Sequence, residues 1–295
     1  MVAGSKSVDF LKIMLNRDYM YPSSALWRAI ELSLLNELDF PKTSHILDLG
    51  CGDGYFSNIF FSSKDLKVDA GMDVSLRYVL KAKRNTKDSH SYKSFQVASA
   101  TILPYKEQFF DIVFSNCVIE HIPNFQTVFS EIQRVLKKNG KLIFTVPSPQ
   151  FGQYSYIFQF FEKIGWHNLS TFYKSSLNKR LCHYNIHDLP QWESFLNKSG
   201  LKVKSAKYYI RPETARICDL LEFIYTLGIW KIRLNAFLIR GGFFLERIGI
   251  NFLKKLILNA YYNFLKEYLT KEQTNKNNQG AALLIVASKS EETLK

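Results

Sequence analysis

The stretch Asp48-Leu-Gly50-Cys-Gly52-Asp-Gly54 constrains this chain more than any other. It follows the short apolar run His45-Ile-Leu-Asp-Leu49 and precedes an apolar segment from about Tyr55 that reads as a helix. Glycines at alternate positions let the backbone turn tightly and approach a ligand closely. The helix that follows turns free N–H groups toward polar or negative ligand atoms. A dinucleotide-binding turn would space its glycines GxGxxG. Here position 55 is Tyr and the spacing is GxGxG, which argues against NAD. Nineteen residues beyond Gly54, Asp73 ends a second apolar run, Leu66 to Asp73, where a carboxylate can take both hydroxyls of a ribose. Alone, Asp73 reads equally well as a turn cap; paired with the glycine loop at this distance, it points to a nucleoside.

The rest of the first half keeps the same rhythm. Ser75 to Arg84 reads as a helix, Ser94 to Ala98 as a strand, Asp111 to Ser115 as a strand, Phe125 to Leu136 as a helix and Lys141 to Val146 as a strand, with Lys138-Asn139-Gly140 as the intervening turn. Strands alternating with helices at this spacing predict a doubly wound parallel sheet. Before it, Val8 to Leu38 reads as helical, with Ser23 or Ser24 as a cap for the repeat Leu26, Ile30, Leu34 and Leu38. After Pro147 the regularity breaks, and residues 151–186 are rich in aromatics without a clear period. Asp188-Leu-Pro-Gln191 resembles a helix start in which Asp188 caps and Gln191 answers, and that helix should end at Gly200. Residues 201–210 and 281–287 read as strands.

Composition excludes several classes. Apolar residues at 46% and charged residues at 22% rule out wholesale disorder. Cys51, Cys117, Cys182 and Cys218 lie far apart with no CxxC pair, so zinc-ribbon and disulfide-framework readings fail and a reducing cytosol fits. No signal peptide and no run of about 18 uncharged apolar residues is apparent. The formal charge of +13 could mark nucleic acid, an anionic membrane surface or an acidic substrate. It is spread along the chain and forms no stripe dense enough to name nucleic acid.

Four stretches in order, HILDLGCGDGYFS, AGMDVS, ILPYKEQFFDIVFSNCVIEHIPN and EIQRVLKKNGKLIFTVPSP, resemble the class I S-adenosylmethionine-dependent methyltransferases, of the small-molecule sort often called type 11. The resemblance covers His45 to Pro149 well and residues 187–210 loosely. It implies a Rossmann-like α/β fold with a seven-stranded, mostly parallel sheet, in which 281–287 lies antiparallel beside 201–210. The expected organisation is an N-terminal helical cap (1–40), a cofactor-binding core (41–150), an aromatic-rich substrate lid (151–186), a core helix and strand (187–210), a helical apolar and basic insertion (211–279), and a final core strand and tail (280–295).

By the same resemblance, S-adenosyl-L-methionine is the cofactor. Asp48, Gly50, Cys51 and Gly52 would surround its methionine half, Asp73 would hold the ribose, and Met72 and Val74 would line the adenine. The family usually carries an Asp two residues before the segment written here as Thr101-Ile-Leu-Pro. This chain has Ser99-Ala100 instead: the usual carboxylate contact to the adenine amino group is missing, but Ser99, with Ala100 beside it, can still make one hydrogen bond to the adenine edge. Asn116 and Cys117 follow the fourth strand at the edge where such sheets bind ligands. His121 could take a proton from an acceptor hydroxyl with Glu120 beside it, or the pair could only fix the loop. Cys117 reads as a buried thiol rather than a nucleophile. His183 and His187 straddle the helix start at Asp188 with no third ligand in view, so no metal is expected. Tyr19, Tyr21 and Trp27 could meet a sulfonium with their rings, although packing is the commoner role.

The function implied is methyl transfer to a small or lipid-linked acceptor by a monomer or homodimer. A nucleic-acid methyltransferase is disfavoured, because Asn116-Cys117-Val118-Ile119 stands where base-methylating enzymes carry a Pro-Pro-aromatic segment. A cofactor-binding protein without catalysis is the third reading. Residues 211–270 mix long apolar side chains with Lys231, Arg233, Arg240, Arg247, Lys254 and Lys255, too polar to span a bilayer. They are expected to form a separate helical layer, serving as lid, dimer contact or interfacial anchor at the inner face of a membrane.

Overall fold

The computed structural model of the chain describes residues 8–17, 22–226, 228–229, 232–233, 251–273 and 279–289. Its helices are α1 (Phe10–Leu15), α2 (Pro22–Asn36), α3 (Tyr55–Ser63), α4 (Leu76–Asn85), α5 (Phe125–Val135), α6 (Tyr156–Lys163), α7 (His167–Arg180), α8 (Leu189–Lys198), α9 (Pro212–Thr226) and α10 (Asn251–Gln273). The strands are β1 (Ile46–Leu49), β2 (Ala70–Asp73), β3 (Phe95–Val97), β4 (Phe110–Asn116), β5 (Leu136–Pro147), β6 (Leu201–Tyr209), the two-residue β7 (Gly228–Ile229) and β8 (Ile232–Arg233), and β9 (Ala282–Lys289).

Seven strands form one sheet in the order β3-β2-β1-β4-β5-β9-β6, while β7 and β8 pair with each other. The first five run parallel; β9 enters antiparallel between β5 and β6. This is the doubly wound, mostly parallel sheet that the alternation predicts. The strand order reverses between β1 and β4, and ligands of such sheets bind in the crevice at the carboxyl ends of the strands there.

Successive side chains of a strand point to opposite faces, so the sheet feeds two cores. Ile46, Ile112, Phe114, Ile143 and Leu284 pack with α1, α2 and α3 on one side. Leu47, Leu49, Val113, Leu142, Phe144 and Ile285 pack with α5 and α8 on the other. Phe60 and Phe61 of α3, both fully buried, meet the Phe114 ring at 5.5 and 5.4 Å. Trp192 of α8 is fully buried against Phe125, Phe129 and Phe144. The Asp188 side chain caps α8 as its sequence predicts, with Gln191 bonding back to the Asp188 N–H at 3.0 Å.

Several local expectations are corrected. The helical stretch before the sheet is broken: α1 ends at Leu15, and α2 opens at Pro22 with Ser23 and Ser24 already inside it. Proline at a first helical position needs no N–H partner, which explains the earlier start. The second strand is shorter than Leu66 to Asp73, with Val68 forming only an isolated bridge to Tyr92. Leu136 already pairs with Phe110, so β5 begins before Lys138-Asn139-Gly140, and Asn139 rather than Gly140 takes the left-handed conformation (φ 60°). Residues 151–186, without apparent period, contain α6 and α7. The α7 helix buries only Ser170, so no apolar repeat is demanded of it, and α6 spans only eight residues.

The insertion between β6 and β9 does not stand apart. Ala215, Cys218 and Leu221 of α9 and Leu265 of α10 join the same core as α1 and α2. The Tyr262 hydroxyl of α10 donates to Asp9 at 2.6 Å. The described ends of 211–279 thus extend the core on that face instead of forming a separate layer. Lys231, Arg240 and Arg247 lie outside the described residues, as do the side chains of Arg233 and Lys254.

Candidate active site at the carboxyl ends of the strands

The glycine loop is held from below by backbone bonds. The N–H groups of Gly50 and Cys51 both donate to the Met72 carbonyl, at 2.7 and 2.8 Å. Gly50 lies at φ 76°, and a Cβ there would sit 2.4 Å from a Val118 methyl, so the residue must be glycine to let the loop after β4 close over it. Gly52 is different: φ is 55°, yet a Cβ would meet nothing within 4 Å. Its missing side chain leaves open space beside the backbone, the cradle that a ligand needs.

Asp73 completes the cradle. Its Oδ2 accepts the Gly52 N–H at 3.1 Å and its Oδ1 the Ser75 N–H at 2.8 Å. Each oxygen keeps lone-pair capacity for a diol. Next to it Val74 is 74% exposed, and past β3 Ile102 is 76% exposed. Two apolar side chains at neighbouring strand ends suit the faces of a flat base. The open space at Gly52, the acceptor pair at Asp73 and these apolar flanks fit the methionine, ribose and adenine parts of S-adenosylmethionine in turn.

The other expected site residues are placed as follows. Asp48 is buried in β1 and accepts the Tyr92 hydroxyl at 2.6 Å; burial pushes its carboxyl up to about 6. The Met72 side chain belongs to the core at 1% exposure and touches the loop through its carbonyl, so it does not line the open space, whereas the Val74 side chain is exposed. Cys51 is buried, and burial raises its thiol far above the ordinary range. Ser99 is exposed, its hydroxyl 2.8 Å from that of Thr101, with Ala100 between them. The Asn116 amide is engaged on both sides, donating to Glu31 at 3.3 Å and accepting from Thr145 at 3.0 Å. Trp27 packs edge-on against Phe151, while Tyr19 and Tyr21 lie outside the described residues.

That amide belongs to a buried polar network that sequence reasoning missed. Glu31 of α2 is fully buried and receives Arg28 at 2.5 Å, the Tyr209 hydroxyl at 2.5 Å and the Cys117 thiol at 3.5 Å. Burial, with Glu31 beside it, holds the Cys117 thiol well above its ordinary range, which leaves it a poor nucleophile. The one legible signal was Arg28-x-x-Glu31 within an otherwise apolar helix. A second missed contact joins Arg17, after α1, to Asp53 of the glycine loop at 2.6 Å, its guanidinium stacked 3.9 Å over the Tyr55 ring.

Glu120 and His121 form a 3₁₀ turn just beyond β4. The His121 Nδ1 lies 3.0 Å from the Cys182 carbonyl, which can only accept. In the neutral imidazole the proton is therefore on Nδ1, which leaves the lone pair on Nε2. Glu120 is 1% exposed, and burial pushes its carboxyl up to about 8. His183 does not face His187. It lies beside Glu120 and His121, whereas His187 packs among Phe125, Trp192 and Phe195.

A glycine cradle and a ribose-type carboxylate at the switch point of this sheet are matched by a family model. The model, described as a methyltransferase domain, covers residues 41–199, more than half of the chain. The chain belongs to that family. Its methyltransferase domain is of the S-adenosylmethionine-dependent class I type. The malonyl-[acyl-carrier protein] O-methyltransferase of Hamiltonella defensa is 30% identical over 123 residues, 42% of this chain and 45% of its own length. The ubiquinone biosynthesis O-methyltransferase of Coxiella burnetii is 28% identical over 142 residues, 46% of this chain and 59% of its own. The chain spans about half the length of the curated relatives it matches. Among solved structures, the YcgJ protein of Bacillus subtilis shares the fold with a TM-score of 0.51 at 17% identity, covering 88% of this chain and 98% of that one. The methyltransferase domain thus accounts for the cradle, while α9, α10 and β9 lie beyond the matched residues.

Proposed function

We propose that this protein transfers the methyl group of S-adenosylmethionine to a small acceptor with an apolar or lipid-linked body, at O, N or C. The observation that carries the reading is the open cradle at Gly52 facing the Asp73 carboxylate, at the strand ends where the Glu120–His121 turn also lies. When bound, S-adenosylmethionine supplies a methyl on a positively charged sulfur that departs as a neutral thioether, so little covalent help is required. The chain's part is chiefly positioning, worth up to roughly 7–11 kcal/mol when reacting atoms are held in line. Gly50, Gly52 and Asp73 fix the donor side. On the acceptor side, the His121 Nε2 lone pair is our assigned point of contact for the proton that the acceptor loses.

The apolar character of the acceptor, and a peripheral membrane location, rest on surface composition. Phe160, Trp166 and Phe172 of the α6–α7 region and Phe252, Leu256 and Phe264 of α10 are exposed on a chain with a formal charge of +13. Exposed aromatics with Lys and Arg suit an anionic lipid surface. Among the described residues no helix is long and apolar enough to cross a membrane. The test of transfer is methyl-labelled S-adenosylmethionine incubated with the full chain and separated polar, lipid and RNA fractions. Label in the lipid or apolar fraction is expected. Label in RNA alone would favour nucleic acid, and label nowhere would leave a binding protein. The membrane reading is tested by flotation with anionic liposomes, comparing the chain with a variant in which Lys231, Arg233, Arg240 and Arg247 become Gln. Failure of the unmodified chain to float would overturn it.

A further inference from the structure

Glu120, His121 and His183 each bring one ligating atom to a common point, all within 4.8 Å of one another. Two segments more than sixty residues apart are clamped to make this meeting. The Glu120 carbonyl accepts the N–H groups of Tyr184 at 2.8 Å and Asn185 at 3.2 Å. The Asn185 amide donates back to the carbonyls of Ile119 at 3.0 Å and Ile122 at 2.7 Å. The cluster is therefore built by backbone bonds and does not arise from chance approach of surface side chains.

Each member is prepared for a ligand. The His121 Nδ1–H bond to the Cys182 carbonyl fixes the tautomer with Nε2 free, and that Nε2 lies 3.9 Å from Glu120 Oε1. Metal-binding histidines are held in this way, the second nitrogen donating to a carbonyl or carboxylate. Glu120 Oε2 is buried and finds no hydrogen-bond partner among the described residues, and neither does the buried Nδ1 of His183. Buried polar atoms are normally satisfied, so an unpartnered atom on each of two residues of one cluster calls for a ligand. A cation held by the cluster would satisfy the carboxylate oxygen, and also the imidazole in the tautomer that leaves Nδ1 unprotonated. Donor atoms of a tetrahedral zinc site stand roughly 3.3 Å apart, given Zn–N and Zn–O bonds of about 2.0–2.1 Å. Closing from the present spacing needs a modest swing of His121, whose side chain is 41% exposed.

We infer that Glu120, His121 and His183 bind one divalent transition-metal ion of the zinc class and present it to the acceptor. Two imidazoles with one carboxylate favour such an ion over Mg²⁺ or Ca²⁺, which take oxygen donors. Three protein ligands leave positions open, the pattern of a catalytic rather than a structural site. The site lies on the turn that we assign to the acceptor, so the inference rests on that reading only for its role. With the ion bound, the His121 Nε2 lone pair is committed to it, so an acceptor oxygen on the ion would lose its proton to water instead of to His121. The oxygen's lone pair would then form the new O–CH₃ bond, while the S–CH₃ pair stays on sulfur.

The experiment uses the full chain stripped with chelator and then titrated with Co²⁺ and with Zn²⁺. One ion per chain is expected, with visible Co²⁺ bands of a four- or five-coordinate nitrogen and oxygen site. His183→Ala, Glu120→Gln and His121→Ala should each weaken Zn²⁺ binding about tenfold or more. His167→Ala, on α7 outside the cluster, should bind as the parent does. If Glu120→Gln fails to fold, the parent Co²⁺ spectrum and the half-exposed His121→Ala still decide. Absent Co²⁺ bands, or Zn²⁺ affinity unchanged in every variant, would overturn the site. Calorimetry with S-adenosylmethionine on the same samples separates the two readings. Cofactor binding without metal removes this inference alone, and metal binding without cofactor removes the methyl-transfer reading alone.

Discussion

The Tyr92 hydroxyl donates a 2.6 Å hydrogen bond to Oδ2 of Asp48, joining the segment before β3 to the strand under the glycine loop. Burial raises the Asp48 carboxyl to about 6, against an ordinary 3.8, while the Tyr92 and Ser57 bonds pull the other way and Asp73 adds to the rise. A raised folded-state value means that the folded protein holds the proton more tightly. The contribution to stability is complete below about 4 and is lost as pH rises through about 6. Asp48→Asn cannot ionise. It should therefore gain on the parent by about 2 kcal/mol between pH 4 and pH 6, read from urea midpoints. A gap that does not change with pH would contradict the burial argument.

Gly50 and Gly52 should fail differently when changed to Ala. Both are left-handed, which costs roughly 1–2 kcal/mol for a residue with a Cβ. At Gly50 the methyl must also displace Val118, so a total loss of about 2–5 kcal/mol is expected. At Gly52 there is room, so only the left-handed cost applies, and the chain should still fold while losing affinity for S-adenosylmethionine. Thermal melts paired with calorimetry distinguish the two, and equal melts with equal affinities would sink the distinction.

Asp73→Ala removes the acceptor for a ribose diol and one tie to the Gly52 N–H. S-adenosylmethionine affinity should fall about tenfold to a hundredfold, the equivalent of about 1.5–3 kcal/mol. Titration calorimetry with unchanged affinity would refute the assignment.

Arg28 is the cation nearest the fully buried Glu31, with the Tyr209 hydroxyl on the same carboxylate. Arg28→Met should destabilise by about 3 kcal/mol, because a buried carboxylate loses its counter-charge. Adding Glu31→Gln should return part of that loss. A double variant whose loss equals the sum of its singles would show that the pair is not coupled.

Cutting the chain before Gly280 removes β9 from between β5 and β6. Two strand edges are then exposed together with the apolar faces they share. The truncated protein should be insoluble, and a soluble product with native far-ultraviolet circular dichroism would contradict the topology.

Local patterns were legible where they serve a local need. The alternation of strands and helices, the capping box of Asp188 and Gln191, the glycine loop and Asp73 all follow from spacings of a few residues, and the structure places each in the sheet or at its ends. The α7 helix was not legible, because almost none of its side chains is buried and so no periodic face is imposed on it; α6 spans only eight residues, too few for its period to stand out in an aromatic-rich stretch.

The sequence by itself determined the fold class, the donor-side cradle and which strand ends carry it. Tertiary structure alone decided what meets there. Tyr209 reaches Glu31 across 178 positions, and His183 joins Glu120 and His121 instead of the nearby His187. Such contacts depend on the order of strands in the sheet and on which loops close over its edge. No spacing along the chain encodes either, because loop closure costs little more for long separations than for short ones. The side we propose for the acceptor, built from those closures, is thus the part that a reading of residues in order leaves open.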